Sequence, residues 1–278
     1  MVIMVLVTGR WLDDKCDLQK VLFNITVERE LKGKVVINSR FISWNGGYSV
    51  KVVALVPIRS LDDNLVKFAI KARLSILPTN FTLYLWNGEN DPRCPFGKSH
   101  TESIAHFLNG CFTQLGNVYS RRHNRIVDRL AAFIKLVKPR VPVYVDKMAE
   151  TIFSEFKTEL SEIRNRKVDI VLVVKSERSC YLVEVKVCFD LYLNQSYDEK
   201  ISRYQDLVIT LRSHHYDVKL LVMCFGSLGC VKQDVFGSLR KFTDDKYEIK
   251  SVTKWCSISN IIGANYIWWH RVKRVMNL

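Results

Sequence analysis

Apolar positions along this chain fall into two repeating patterns, one of strand length and one of helical spacing. The clearest strand pattern is VDIVLVVKSERSCYLVEVKVCF, residues 168–189, in which two Val-rich runs flank a charged stretch that can turn between them. Neighbours on both alternate faces are apolar, Val183, Val185 and Val187 on one and Leu182 and Cys188 on the other, so the pair is expected in a sheet covered on both sides. Helical spacing is found over 119–137, where Ile126, Leu130, Phe133 and Ile134 share a face and Pro139 and Pro142 end the run. A second helix is expected over 145–163, with Met148, Ile152, Phe153, Phe156 and Leu160 as its stripe. Helix 198–213, strand Val218–Phe225 and helix 232–242 complete an order of helix, strand, strand, helix, strand, helix. The fold class expected is therefore mixed α/β. Upstream, DDNLVKFAIKARLSIL reads as a helix capped by Asp62 or Asp63 and stopped by Pro78. Residues 1–60 alternate strand-like runs (Met1–Val7, Val35–Ile37, Tyr48–Ile58) with charged connectors and the turn candidate Asn45-Gly46-Gly47, and carry no functional reading.

Charges placed inside the two Val-rich runs change the picture. Asp169 opens the first, and Glu184 and Lys186 lie on one face of the second, because side chains two apart in a strand emerge together. Burying such groups among Val, Leu, Ile and Phe costs several kcal/mol or more unless they are paired or hold a metal. Two carboxylates and an ammonium converging from adjacent strands can hold Mg²⁺ or Mn²⁺ and steer a water, which is phosphodiester-cleaving chemistry. The competing reading is a solvent face on which Glu184 and Lys186 form a weak ion pair.

Charge adds a partner. Lys and Arg number 42 against 28 Asp and Glu, a net +14, which points to a polyanion. The eight cysteines show no extracellular-type framework, and several sit in apolar strands, so a reduced, intracellular setting is expected. The apolar start, MVIMVLVTG, is too short for a membrane span, and no membrane partner is expected. Between 94 and 111, Cys94, His100, His106 and Cys111 place four zinc-type ligands in eighteen residues. Gly97 stands where a Cys-x2-Cys half would need its second cysteine. The segment either binds zinc with His100 as substitute or keeps its fold without metal.

Taken together, KARLSILPT (71–79), Trp86-x4-Asp91-x2-Cys94, Glu102-Ser103-x2-His106-x4-Cys111, Tyr119-x2-Arg122-His123-Asn124-x-Ile126-x3-Leu130, Asp169-x14-Glu184-x-Lys186-x3-Asp190 and Asp198-Glu199-Lys200-x3-Tyr204-x2-Leu207 resemble one family. It is the C-terminal region of site-specific non-LTR retrotransposon polyproteins, where a CCHC zinc knuckle and a restriction-like endonuclease of the PD-(D/E)xK superfamily follow the reverse transcriptase. The resemblance covers about residues 66–240 and implies a restriction-endonuclease-like core. By it, Cys94, His106 and Cys111 match three knuckle ligands and Arg122 and His123 match a basic-His pair on DNA. Asp169 matches the aspartate of the Pro-Asp motif, with Val168 in place of the proline, and Glu184 the second acid. Lys186 stands where the wider superfamily keeps its lysine, and Lys200 where the retrotransposon branch keeps one on the following helix.

The function expected is a Mg²⁺-dependent DNA endonuclease, with Asp169, Glu184 and the Val185 carbonyl on the metal and Lys186 or Lys200 on the water. Local geometry favours Lys186; the resemblance favours Lys200. Glu150, Glu155 or Glu159 could supply a further acid, and Arg121, Arg122, Arg125 and Arg129 are expected on phosphates. Boundaries are placed at an N-terminal segment (1–65), a linker helix and loop (66–93), the knuckle-like segment (94–118), the endonuclease with its leading basic helix (119–242) and a C-terminal extension (243–278). No segment is long enough for the reverse transcriptase, which is expected upstream in a full element, with element RNA as a further partner. The alternative is a catalytically silent nucleic-acid-binding remnant; a standalone resolvase or restriction-type nuclease would share the chemistry but not the Arg122-His123-Asn124 block.

Overall fold

The two Val-rich runs form the middle of a mixed sheet. A computed structural model of the chain describes residues 5–7, 10–12, 52–54, 61–88, 90–97 and 100–276. The expected strand at 35–37 and turn at 45–47 lie outside them. The N-terminal third contributes β1 (Val5–Val7) and β2 (Arg10–Leu12), which pair with each other, and β3 (Val52–Ala54). Helices α1 (Asp63–Arg73), α2 (Asn80–Asn87), α3 (Ile104–Asn109) and α4 (Phe112–Val137) follow. Then come β4 (Val143–Met148), the short helices α5 (Ala149–Ile152) and α6 (Lys157–Glu162), β5 (Lys167–Val174) and β6 (Ser179–Cys188). Helices α7 (Leu193–Arg203) and α8 (Gln205–Ser213), strands β7 (Asp217–Gly226) and β8 (Cys230–Lys232), and helices α9 (Asp234–Leu239) and α10 (Lys246–Met276) end the chain.

The six-stranded sheet runs β3-β8-β7-β6-β5-β4. β6 and β7 are parallel from Ser179 opposite Asp217 to Cys188 opposite Gly226, and the other pairings are antiparallel. Alternation along β5 and β6 divides two cores, as the strand period of two requires. Ile170, Leu172, Val183 and Val185 pack with Ile126, Leu130 and Ile134 of α4, Val235 and Leu239 of α9, and Ile249 and Val252 of α10. On the other face Val171, Val173, Cys180 and Leu182 meet Ile152 and Phe153, Leu160 of α6, and Leu207, Val208 and Leu211 of α8. The α/β class and the doubly covered sheet are as the sequence pattern anticipated. Among the described residues no helix is long and apolar enough to cross a membrane.

Three local expectations are corrected. The helix expected over 145–163 begins instead as strand β4, because Val143, Tyr144 and Val145 pair with Leu172, Val171 and Ile170 at the sheet edge. β-branched and aromatic residues gain more there than from helix propensity, so helical turns start only at Ala149. The helix expected over 198–213 starts earlier, at Leu193, and is divided at Tyr204. The C-terminal extension, read without an element, is mostly the 31-residue helix α10.

A third core joins the knuckle-like segment to the two longest helices. Phe107, Leu108, Cys94 and Cys111 pack with Phe68 and Ala72 of α1, Tyr119 of α4, and Ile261, Ala264, Ile267 and Trp268 of α10. α10 lies antiparallel along α4: Arg129 stacks over Trp255, whereas Arg122 crosses at Gly263, where any Cβ would stand 2.8 Å from Arg122 Cδ. At the far end Arg271 grips the fully buried Glu102 through both oxygens, Nε to Oε1 at 2.8 Å and Nη2 to Oε2 at 2.6 Å. The backbone N–H of Asn80 donates a further bond to Glu102 Oε2 at 2.6 Å. Removing one member of such a pair strands a buried charge. Glu102→Ala and Arg271→Ala are each expected to destabilise the protein by about 3–5 kcal/mol, read as a lower urea midpoint at unchanged slope.

Candidate active site and candidate metal centre

The ladder between β5 and β6 ends where Ile170 pairs with Val183. Carrying that register one step further brings Asp169 opposite Glu184. There the regular pairing gives way, and the backbone N–H of Val185 donates to Asp169 Oδ2 at 2.7 Å. Glu184 itself is buried in a central strand. Its Oε1 takes an ion pair from Lys200 of α7, and its Oε2 is buried without a hydrogen-bond partner among the described residues. Burial first, and the charge of Asp169 second, push the Glu184 carboxyl above the usual range, against the opposing pull of Lys200 and Tyr204. Two carboxylates that repel each other, one with an unpartnered buried oxygen, fit a divalent cation.

Lys186 and Lys200 are treated differently by the fold. Lys200 reaches across from its helix to Glu184, with 13% of its side chain exposed. Lys186 is half-buried on β6 opposite Cys224, and no ion pair or hydrogen bond of Lys186 is found among the described residues. Geometry within one strand had favoured Lys186; the helix that packs on the same face brings Lys200 to the acid instead. Of the three glutamates considered as a further acid, Glu150 is paired with Arg166 at 2.9 Å, Glu155 accepts from the Tyr216 hydroxyl at 3.3 Å, and Glu159 is exposed.

The basic helix α4 also divides its residues. Arg121, Arg125 and Arg129 are exposed. Arg122, expected on DNA, is buried instead: Nη2 donates to Asn109 Oδ1 at 2.8 Å, while Nε and Nη1 are buried without partners among the described residues. Burial lowers its pKa to about 10. His123 points into the acid site. Its Nε2 lies 3.1 Å from the Val185 carbonyl and 3.4 Å from Asp169 Oδ2, and its Nδ1 lies 3.2 Å from Asn124 Oδ1. Burial alone would lower the imidazole pKa, but the hydrogen bond and charge of Asp169, with Asn124 and the Val185 carbonyl, outweigh it and raise it to about 9. As an imidazolium, both ring N–H groups then donate.

Sequence reasoning missed His123 as part of this site and missed Tyr204 beside it. The Tyr204 hydroxyl donates to the Lys167 carbonyl at 3.0 Å and adjoins Glu184, and burial holds it un-ionised. The Lys200-x3-Tyr204 spacing, one helical turn, was the available signal for Tyr204.

The second constellation lies in the third core. Cys94, His106 and Cys111 bring one ligand atom each to within 4.8 Å of one another, a group that could hold a metal ion. The two sulfurs are 3.6 Å apart as free thiols, and His106 Nε2 is buried without a partner among the described residues. Burial lowers the His106 pKa, leaving a neutral imidazole, and pushes the Cys111 thiol up to about 12 in the metal-free state. His100 is exposed and stays outside the group, its ring stacked on His106 with centroids 5.3 Å apart. The Cys94 turn is tight, Gly97 N–H donating to the Cys94 carbonyl at 3.3 Å and Cys94 N–H to the His100 carbonyl at 2.8 Å.

No protein-family model matches the chain, and no curated protein matches it.

The raised His123 pKa carries a stability signature. A folded-state value near 9 against an unfolded 6.5 contributes stability that is full below about pH 6.5 and lost as pH rises through about 9. In metal-free protein, the gap in urea midpoint between wild type and His123→Ala is expected to narrow from pH 7 to pH 10; a gap that widens would place the charge elsewhere.

Proposed function

We propose that this chain is a metal-dependent DNA endonuclease with a restriction-endonuclease-like core, of the kind that follows the reverse transcriptase in site-specific non-LTR retrotransposons. The observation that carries the reading is Asp169, bonded to the Val185 N–H next to Glu184 at the end of the β5–β6 ladder, with Lys200 ion-paired to Glu184 from the following helix. An ion-paired lysine and two clustered carboxylates, one strained by burial, have no evident structural purpose in an apolar sheet. The order of strand pair, helix and parallel strand β7 supports the same reading.

A Mg²⁺ or Mn²⁺ ion would be held by Asp169, Glu184 and the Val185 carbonyl, and when bound would supply an activated water and neutralise phosphate charge. The remaining work falls to the chain. Val185 N–H fixes the rotation of the Asp169 carboxylate. Lys200, held by Glu184, places an ammonium where it can orient the attacking water and meet the phosphate. His123 braces both Asp169 and the Val185 carbonyl. Arg121, Arg125 and Arg129 would meet backbone phosphates. A zinc ion on Cys94, His106 and Cys111 would stiffen the knuckle-like segment. A silent DNA- or RNA-binding remnant is the second reading, favoured by the position of Gly97 in place of a fourth knuckle ligand.

Asp169→Ala and Glu184→Ala are expected to cut nicking of supercoiled plasmid with Mg²⁺ by about a hundredfold or more, with DNA binding retained. Lys200→Ala should fall with them in single-turnover assays, whereas Lys186→Ala keeps most of its rate. Wild-type nicking by either acid variant sinks the enzyme reading in favour of the remnant.

Elemental analysis of protein purified without chelator is expected to find close to one zinc per chain, since structural sites bind tightly near neutral pH. The content should collapse in Cys94→Ala, His106→Ala and Cys111→Ala and persist in His100→Ala. Ligands must shed protons to bind, so zinc retention should weaken as pH falls.

A further inference from the structure

The C-terminal helix α10 carries a row of large apolar side chains, three of them aromatic, with no role in the site above. Trp255, Ile262, Tyr266 and Trp269 recur at spacings of seven, four and three, which places them on one helix face. Trp269 is 54% exposed, Tyr266 56% and Ile262 39%, a concentration of apolar surface that calls for an occupant. Trp255 is half-buried and forms one wall of a groove of about 520 Å³. The other lining residues are Arg121, Asn124, Arg125, Asp128 and Arg129, all from α4. One acid faces three arginines, so the groove is positive, and the rings of α10 continue from it along the antiparallel helix pair.

The geometry points to an unpaired DNA strand as the occupant of this surface, with Arg121 and Arg125 on its phosphates and Tyr266 and Trp269 stacking on its bases, while Arg129 over Trp255 closes the end of the groove. A row of cations beside a row of exposed rings matches a polyanion whose bases are free to stack. In a duplex the base faces are hidden in the stack, and a convex helix face cannot reach them. Trp255 to Trp269 spans about 21 Å of helix axis, room for several nucleotides. The groove is also joined to the acid site: Asn124, which lines it, is hydrogen-bonded to His123, which touches Asp169. DNA is chosen over RNA because the strand reaching that site is the one to be cut, and to this extent the inference rests on the endonuclease reading.

The test is binding by the full chain in chelator, so that loss of cleavage has no bearing on it. Labelled oligothymidylate, a blunt duplex of the same length and oligouridylate are titrated by fluorescence anisotropy. Tyr266→Ala and Trp269→Ala, both at exposed positions, are expected to weaken oligothymidylate binding by about tenfold each and duplex binding by less than about twofold. Trp255→Phe, which keeps a ring and the packing of the core, should weaken it less. Arg125→Ala should weaken both DNAs and lower the salt slope by about one. Equal losses on single strand and duplex, or no loss from the aromatic variants, would overturn the proposal. So would oligouridylate bound as tightly as oligothymidylate. A dimer in sedimentation that Trp269→Ala dissolves, with DNA binding unchanged, would assign the rings to a second copy instead. Loss of nicking in the acid variants with these affinities intact would leave the docking surface standing.

Discussion

Glu184 sits in a strand with neighbours on both sides and helices on both faces, and the arrangement of the site follows from keeping a carboxylate there. A lone buried charge would cost more than a small domain can spare. The compensation comes from α7, which delivers Lys200, and from Tyr204 at its end. Lys200 pairs with one oxygen, and Oε2 is buried without a hydrogen-bond partner among the described residues. Asp169 adds a second negative charge rather than relieving the first. A protein selected only for stability would do better with valine at 184, as replacement of buried ion pairs by apolar residues is often neutral or stabilising. Keeping the pair at that cost is what the proposed cation site would explain.

The same logic separates the two long helices from ordinary packing. α4 and α10 each extend across two cores, the sheet core at one end and the knuckle core at the other. Where they cross, Gly263 leaves room for Arg122, whose Nη2 donates to Asn109 of the helix that carries His106. A residue expected on DNA thus acts as a strut between the metal-type cluster and the sheet. His123, at the acid site, is the next residue along α4.

Legibility in the sequence followed burial. The Val-rich pair, its two covered faces, and the positions of Asp169 and Glu184 could be read because a period of two fixes which side chains emerge together. Cys94, His106 and Cys111 could be read because Gly-Pro turns and a short helix bring near neighbours together. What could not be read was any choice settled by distant segments. Val143–Met148 carries helix-compatible spacing and became a strand only because an unpaired edge of β5 was available. Lys186 had the better local argument, and Lys200 the better position, because α7 folds back over β6. Arg122 and Arg121 are adjacent residues of one type, yet one is buried and one exposed, a difference set by α10, more than a hundred residues downstream.

His123 brings these threads to one point. Its ring contacts Asp169 Oδ2 and the Val185 carbonyl, two of the three oxygen-bearing groups that a divalent ion would use. A protonated ring with both N–H groups donating is itself a cation placed against those acceptors. It cannot serve as a ligand, since neither nitrogen has a free lone pair in that state. The residue that the sequence set beside an arginine, as though for DNA, has its ring against Asp169 and the Val185 carbonyl and offers that site a compensating charge.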